Sequence, residues 1–238
     1  MSNGFRTTRW SLVIAARDGS GASSQQALEE LCEAYWYPLY AYVRLLGHDP
    51  DEARDLTQAF FARLLEKGYL QDVKEGAGRF RSFLLVALKH FLSKERDKAA
   101  AIKRGGQARV ISLDTDLAES RYRTEPVDQL DPEAVFERRW AMTVLERAMD
   151  QLQETYTKAG KQERFEKLHG FLTGEEPHVP YRQIAQELEI NEGAVREAVR
   201  RMRQQFGSLL REEIASTVAD PGNVDDEVRH LLRASGPR

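Results

Sequence analysis

The stretch Tyr181–Arg201, YRQIAQELEINEGAVREAVRR, decides how the rest of the chain is read. Apolar residues recur at helical spacing on both sides of a short break. Ile184, Ala185 and Leu188 make one inward stripe, and Ala185 is small enough for a second helix to cross closely. Ile190 fills the corner, and Asn191 is a good N-cap for the next helix. In that helix Val195, Val199, Met202 and Phe206 fall within about 60° of one another on a helical wheel, so they face inward. Arg196, Arg200 and Arg203 then share an exposed flank, with Gly193, Glu197 and Gln204 opposite the core stripe. This is helix-turn-helix spacing, and an arginine face with a few Glu and Gln suits a helix lying in a major groove. One position departs from the pattern: Glu189 stands where such a turn favours glycine. Two amphipathic core helices with a solvated arginine face fit the same residues.

The net charge of −3 has the wrong sign for a nucleic-acid partner, but it conceals an uneven distribution. Residues 74–104 hold nine Lys or Arg against three Asp or Glu, and residues 191–211 hold five against two. Between them, residues 112–133 carry seven acidic residues and two arginines without sustained periodicity. Two basic islands therefore flank an acidic segment.

Outward from these islands the chain reads as all-α. Ser23 and Gln26 stand at capping-box spacing before an apolar series at Leu28, Leu31, Tyr35, Leu39, Tyr42 and Leu45. Gly47 is the expected stop, and Asp49-Pro50 an N-cap with proline in the first turn. The next helix, DEARDLTQAFFARLLEKG, places Leu56, Phe60, Arg63 and Leu64 near one stripe. A loop rich in lysine and glycine leads to FRSFLLVALKHFLSKERDKAAAIKR, a third helix. Asp131-Pro132 restarts helix, another covers 161–172, and VDDEVRHLLRA is a short helix in the tail. The expected layout is two helical domains joined by an extended acidic linker. Residues 9–105 form the first domain, 106–131 the linker, 132–215 the helix-turn-helix domain and 216–238 the tail.

Composition excludes several classes. The chain is 41% hydrophobic and 31% charged, which suits a soluble protein dense in amphipathic helices. Its single cysteine, Cys32, forms no internal disulfide, so a reducing cytosol is the natural compartment. Cys32 lies in an apolar stripe and reads as a small buried residue, not a nucleophile. Five scattered histidines lack metal-ligand spacing, so no metal is expected. No run approaches the roughly 18 apolar residues that span a membrane. The N-terminal run LVIAA is too short for a secretory signal, so a cytoplasmic location is expected. There is no phosphate-cradling glycine motif and no nucleophile-base arrangement with supporting context, so neither an enzyme nor a cofactor is expected.

The order DEARDLTQAFFARLLEKG, FRSFLLVALKHFLSKERDK, acidic linker, helix-turn-helix resembles the sigma factors of bacterial RNA polymerase, specifically the short extracytoplasmic-function class. The resemblance covers roughly residues 9–212, and its most specific piece is Asp55-Leu56-Thr57-Gln58 followed by Phe61. It implies that Asp55, Leu56 and Gln58 dock on the clamp helices of the polymerase's largest subunit, while Phe61 packs inside. It further implies that the helix from Phe80 opens and holds the minus-ten promoter element. Arg79, Arg81, Lys89 and His90 are its candidate contacts to the melted strand, with Phe80 and Phe83 bordering the groove or buried. Arg196, Glu197, Arg200 and Arg203 would read the minus-thirty-five element in duplex DNA. The linker is similar to a segment that threads the polymerase, although a merely solvated linker fits equally.

Departures from the family pattern are informative. Arg54 and Ala59 stand where Glu is common, which implies weak core affinity until negative charge is added. Thr57, on the same helix, is a candidate phosphorylation site that would add about −1.5 to −2 charge. Control by a Ser/Thr kinase, by an anti-sigma factor or by the tail is compatible with these residues. The tail itself reads as an autoregulatory helix or a disordered end. A rival assignment is a stand-alone repressor or activator, with residues 9–105 for sensing or dimerisation and a palindromic duplex site.

Overall fold

The computed structural model of the chain describes residues 22–64, 79–101, 115–124, 131–172, 180–218 and 221–236, without the side chains of 22–33, 99–101, 115–117, 124 and 221. The side chains of Ser23, Gln26 and Cys32, the lysine- and glycine-rich loop up to residue 78, and residues 173–179 lie outside the described part. Among the described residues the fold is all-α, with only an isolated bridge between Arg79 and Val218 in extended pairing. No described helix is long and apolar enough to cross a membrane.

Helix α1 spans Ala22–Leu45 and ends where Gly47 takes a φ of +96°, a conformation that glycine adopts without strain. Helix α2, Pro50–Leu64, starts as its sequence dictates. Asp49 Oδ1 accepts the Glu52 amide at 2.8 Å, and Pro50 occupies the first turn. Helix α3 covers Phe80–Ala101, α4 Thr115–Thr124 and α5 Pro132–Lys158. Helix α6, Gln162–Leu168, runs into a 3-10 turn at His169–Phe171. Helices α7, Tyr181–Glu187, and α8, Glu192–Ala215, follow. A 3-10 turn at Pro221–Asn223 precedes α9, Val224–Ser235.

By its contacts the chain divides into two compact units, Met1–Thr143 with Ala215–Arg238, and Val144–Ile214. Residues 132–143 and the C-terminal segment thus belong with the first unit, whereas the sequence boundaries start a domain at 132 and leave 216–238 as a tail. In the first unit α1, α2 and α3 pack on one another. Tyr35, Leu39, Phe60, Phe61, Phe80, Leu84, Leu88, Phe136 and Trp140 are buried there. Tyr35 meets Phe80 edge-on at 5.3 Å, and Phe60 meets Phe91 at 5.8 Å. The buried stripe of α2 is Ala53, Thr57, Phe60, Phe61 and Leu64. Leu56 is half-buried and Arg63 exposed, so the inward face is rotated from the expected one by the pull of the adjacent phenylalanines.

The acidic linker is not extended throughout, because residues 115–124 form α4. Ala118 is buried, and the Glu119 carboxylate accepts Tyr40 Oη at 2.5 Å and both Arg44 Nε and Nη2 at 3.1 Å. The Arg121 guanidinium lies 4.3 Å from the centre of the Tyr37 ring. These polar and cation–π contacts hold the helix without an apolar stripe, which is why periodicity did not reveal it.

The second unit has its own core. Leu152 and Tyr156 of α5, Phe165 and Leu168 of α6, Ile184 and Ala185 of α7, and Val195, Ala198, Val199 and Met202 of α8 form one buried cluster. Each Leu, Ile, Val, Phe or Met side chain among them contributes about 1.5–3 kcal/mol on burial. Leu188, Ile190 and Phe206 pack against the cluster, as the two expected stripes require.

Candidate nucleic-acid interface

The connection between α7 and α8 is built without glycine. Glu189 takes φ +52°, the left-handed conformation. Its amide reaches the Gln186 carbonyl at 3.3 Å, and the Ile190 amide reaches Ala185 at 2.9 Å. This pair of bonds satisfies the last carbonyls of α7, and Ile190 supplies the apolar contact that accompanies such a terminus. The next helix is capped by Asn191, whose Oδ1 accepts the Ala194 amide at 2.8 Å. A Cβ at Gly193 would sit 3.2 Å from that same oxygen, so glycine leaves room for the cap.

With Val195, Val199 and Met202 inward, Arg196, Arg200 and Arg203 are exposed on α8. Arg200 donates two bonds to Glu197, at 2.8 and 2.7 Å. Those bonds hold the Glu197 carboxyl below its usual range and raise the arginine. Arg203 donates to the Phe171 carbonyl at 3.2 Å, and Arg196 lies 5.9 Å from the Tyr181 ring centre and 3.5 Å from Glu192. Exposed pairs of this kind are weak and are readily exchanged for a phosphate or a guanine edge. The structure therefore brings Arg196, Glu197, Arg200 and Arg203 onto one accessible helix.

The N-terminal candidates fall differently. Arg79 is half-exposed and lies 2.8 Å from Glu227 of α9. Arg81 is buried, which departs from an exposed strand contact. It pairs with Glu137 at 2.5 Å and with Glu227, and its guanidinium sits 4.3 Å over the Trp140 ring. Burial pushes its pKa down against the opposing pull of Glu137. Lys89 pairs with Glu133, whose hydrogen bond raises its pKa, and His90 is exposed one residue further on. Phe80 is core and Phe83 half-buried.

On α2, Asp55 is exposed and Leu56 and Gln58 are half-buried. Arg54 lies 3.1 Å from Asp51 and 3.3 Å from Asp55, so it offsets the acid on this surface. Thr57 is fully buried and its hydroxyl donates to the Ala53 carbonyl at 2.7 Å. It lies on the core face of the helix, and a kinase reaches it only if that packing opens.

Three acids that complete these contacts, Glu133, Glu137 and Glu227, are not singled out by the sequence reasoning. Glu227 had a signal: it sits three residues after Val224 and four before Leu231, a carboxylate on an apolar stripe. Tyr156, Lys161, Arg164, Arg201 and Gln205 line an open pocket in the second unit. Lys161 and Arg164 stand three residues apart, but Arg201 and Gln205 come from α8, so no single element's pattern shows the cluster. Among the described residues, no group of three His, Cys, Asp or Glu is placed to hold a metal ion. No protein-family model, no curated protein and no solved structure matches the chain.

Proposed function

We propose that the chain is a cytoplasmic sigma-type transcription initiation factor that binds core RNA polymerase, directs it to a subset of promoters and helps melt them. It acts by binding alone. On this reading α7 and α8 are a helix-turn-helix, and Arg196, Glu197, Arg200 and Arg203 meet the upstream promoter element as duplex. Asp55, Leu56 and Gln58 dock on the polymerase clamp helices, and the surface around Arg79, Lys89 and His90 takes the melted strand. The observation that carries the reading is the arginine face of α8. It is exposed, capped by Asn191 and backed by a core drawn from four helices. Losing one correct base contact costs about 1–3 kcal/mol, and losing one duplex phosphate contact lowers the salt dependence by about one unit of slope.

The deciding experiment is capture of purified core RNA polymerase by the wild-type chain beside Asp55→Ala/Gln58→Ala. Capture that the double variant loses supports the reading and the docking helix together. Wild-type chain that captures no polymerase but binds a palindromic duplex as a dimer makes the protein a stand-alone regulator instead.

A further inference from the structure

We infer that α9 is a built-in occupant of the strand-binding surface: the Glu227 carboxylate stands between Arg79 and Arg81 where a nucleic-acid phosphate would lie, and a single strand must displace the helix to enter. The inference rests on the reading of this surface given above and names its regulation. Glu227 is fully buried although it is ionisable, and Arg79 Nε lies 2.8 Å from its Oε2. Arg81 reaches its other oxygen while holding Glu137. The chain leading to α9 is pinned at the same place, where the Phe80 amide donates to the Thr217 carbonyl at 3.2 Å and Arg79 bridges Val218. His230 completes the contact, with Nε2 2.9 Å from Glu137. Two guanidinium groups around one carboxylate form a fork that accepts a phosphate equally well.

The energetics suit a displaceable helix better than a core element. Glu227 and Leu231 are the side chains that α9 buries, while Leu232 is 54% exposed. A buried ion pair returns little net stability, because desolvation offsets most of the attraction. A helix that fully buries one apolar side chain, with Val224 and Val228 half-buried, and otherwise docks through ion pairs belongs to the low-stability end of the molecule. Incoming phosphates replace the carboxylate on the same arginines, so opening leaves neither cation unpaired.

The test uses fluorescein-labelled oligothymidylate and anisotropy titration of the full chain, of a chain ending at Asp220, and of that shorter chain carrying Arg79→Ala. The shorter chain is expected to bind about tenfold more tightly or better, since the competent state is no longer a minor one. Its salt dependence steepens by about 0.7 for each phosphate gained. Arg79→Ala removes most of the gain, and a peptide of residues 221–238 added in trans reverses it, whereas the same peptide with Glu227→Gln does not. A shorter chain that melts cooperatively yet binds no tighter than the full chain overturns the inference. Hydrogen exchange of the full chain at saturating oligonucleotide decides the matter even if the shorter chain fails to fold. Protection of α9 is lost on this account, and unchanged protection refutes it. Polymerase capture is scored separately. Capture with an ineffective truncation removes the tail mechanism and keeps the initiation reading. No capture with an effective truncation does the reverse.

Discussion

Glu189 shows how much a single residue costs and what it secures. A side chain with a Cβ at φ +52° sits in a region that L-residues avoid, at a cost of about 1–2 kcal/mol. The turn tolerates this because Ile190 must reach the core while Asn191 caps α8, and only the left-handed step delivers both. Glu189→Gly therefore raises stability by about 0.5–1 kcal/mol, the relief of strain being partly offset by the greater freedom of glycine in the unfolded chain. Urea unfolding followed by helical circular dichroism checks it, and a lower midpoint contradicts the strain account. The glycine preference of this turn was readable in the sequence. That the chain accepts the strain was not, because the two neighbours that compel it act only once the core has formed.

At the scale of the element, α4 and α9 are the instructive helices. Both dock through charge: α4 lacks the apolar periodicity that identifies α1, α3 and α8, whereas α9 carries an apolar stripe that the Glu227 carboxylate interrupts. The Glu119 carboxyl in α4 is buried enough to oppose ionisation. Hydrogen bonds from Arg44, Tyr40 and Arg123 outweigh that and hold its pKa below the ordinary 4.5. A folded value below the unfolded one means that the stabilisation is present above the ordinary carboxylate range and is lost as pH falls through the lower folded value. Amide protection of residues 115–124 is therefore expected to fall as pH drops below about 5 in the wild type. Glu119→Gln shows weaker protection at neutral pH and a flat profile across the same window. Equal profiles for the two chains would show that α4 is held by the rings of Tyr37 and Tyr122 and not by this carboxylate.

For the whole molecule, two cores mean two places where stability is set. Met202 is fully buried in the second unit, and Met202→Ala costs about 2–5 kcal/mol in lost transfer energy and cavity formation. Native-state hydrogen exchange is expected to show that loss within Val144–Ile214, with the amides of α2 in the first unit unchanged. A uniform loss across both units would mean that the molecule opens as a single cooperative body. The sequence by itself determined the all-α class, most helix ends and the outward arginines of α8. Those features follow from the 3.6-residue period, from caps and from proline and glycine placement, all of which act over a few residues. The tertiary structure alone decided that Arg81 and Thr57 are buried, that part of the acidic linker is a docked helix, and that Glu227 closes on Arg79 and Arg81. Thr57 is buried by the packing of the α2 face that carries Phe60 and Phe61, and the others depend on which charge meets which across 56 to 148 residues of chain, between Arg81 and Glu137 or between Arg79 and Glu227. No local spacing encodes such a meeting, because it is fixed only when the apolar faces have packed and brought the distant charges within reach of one another.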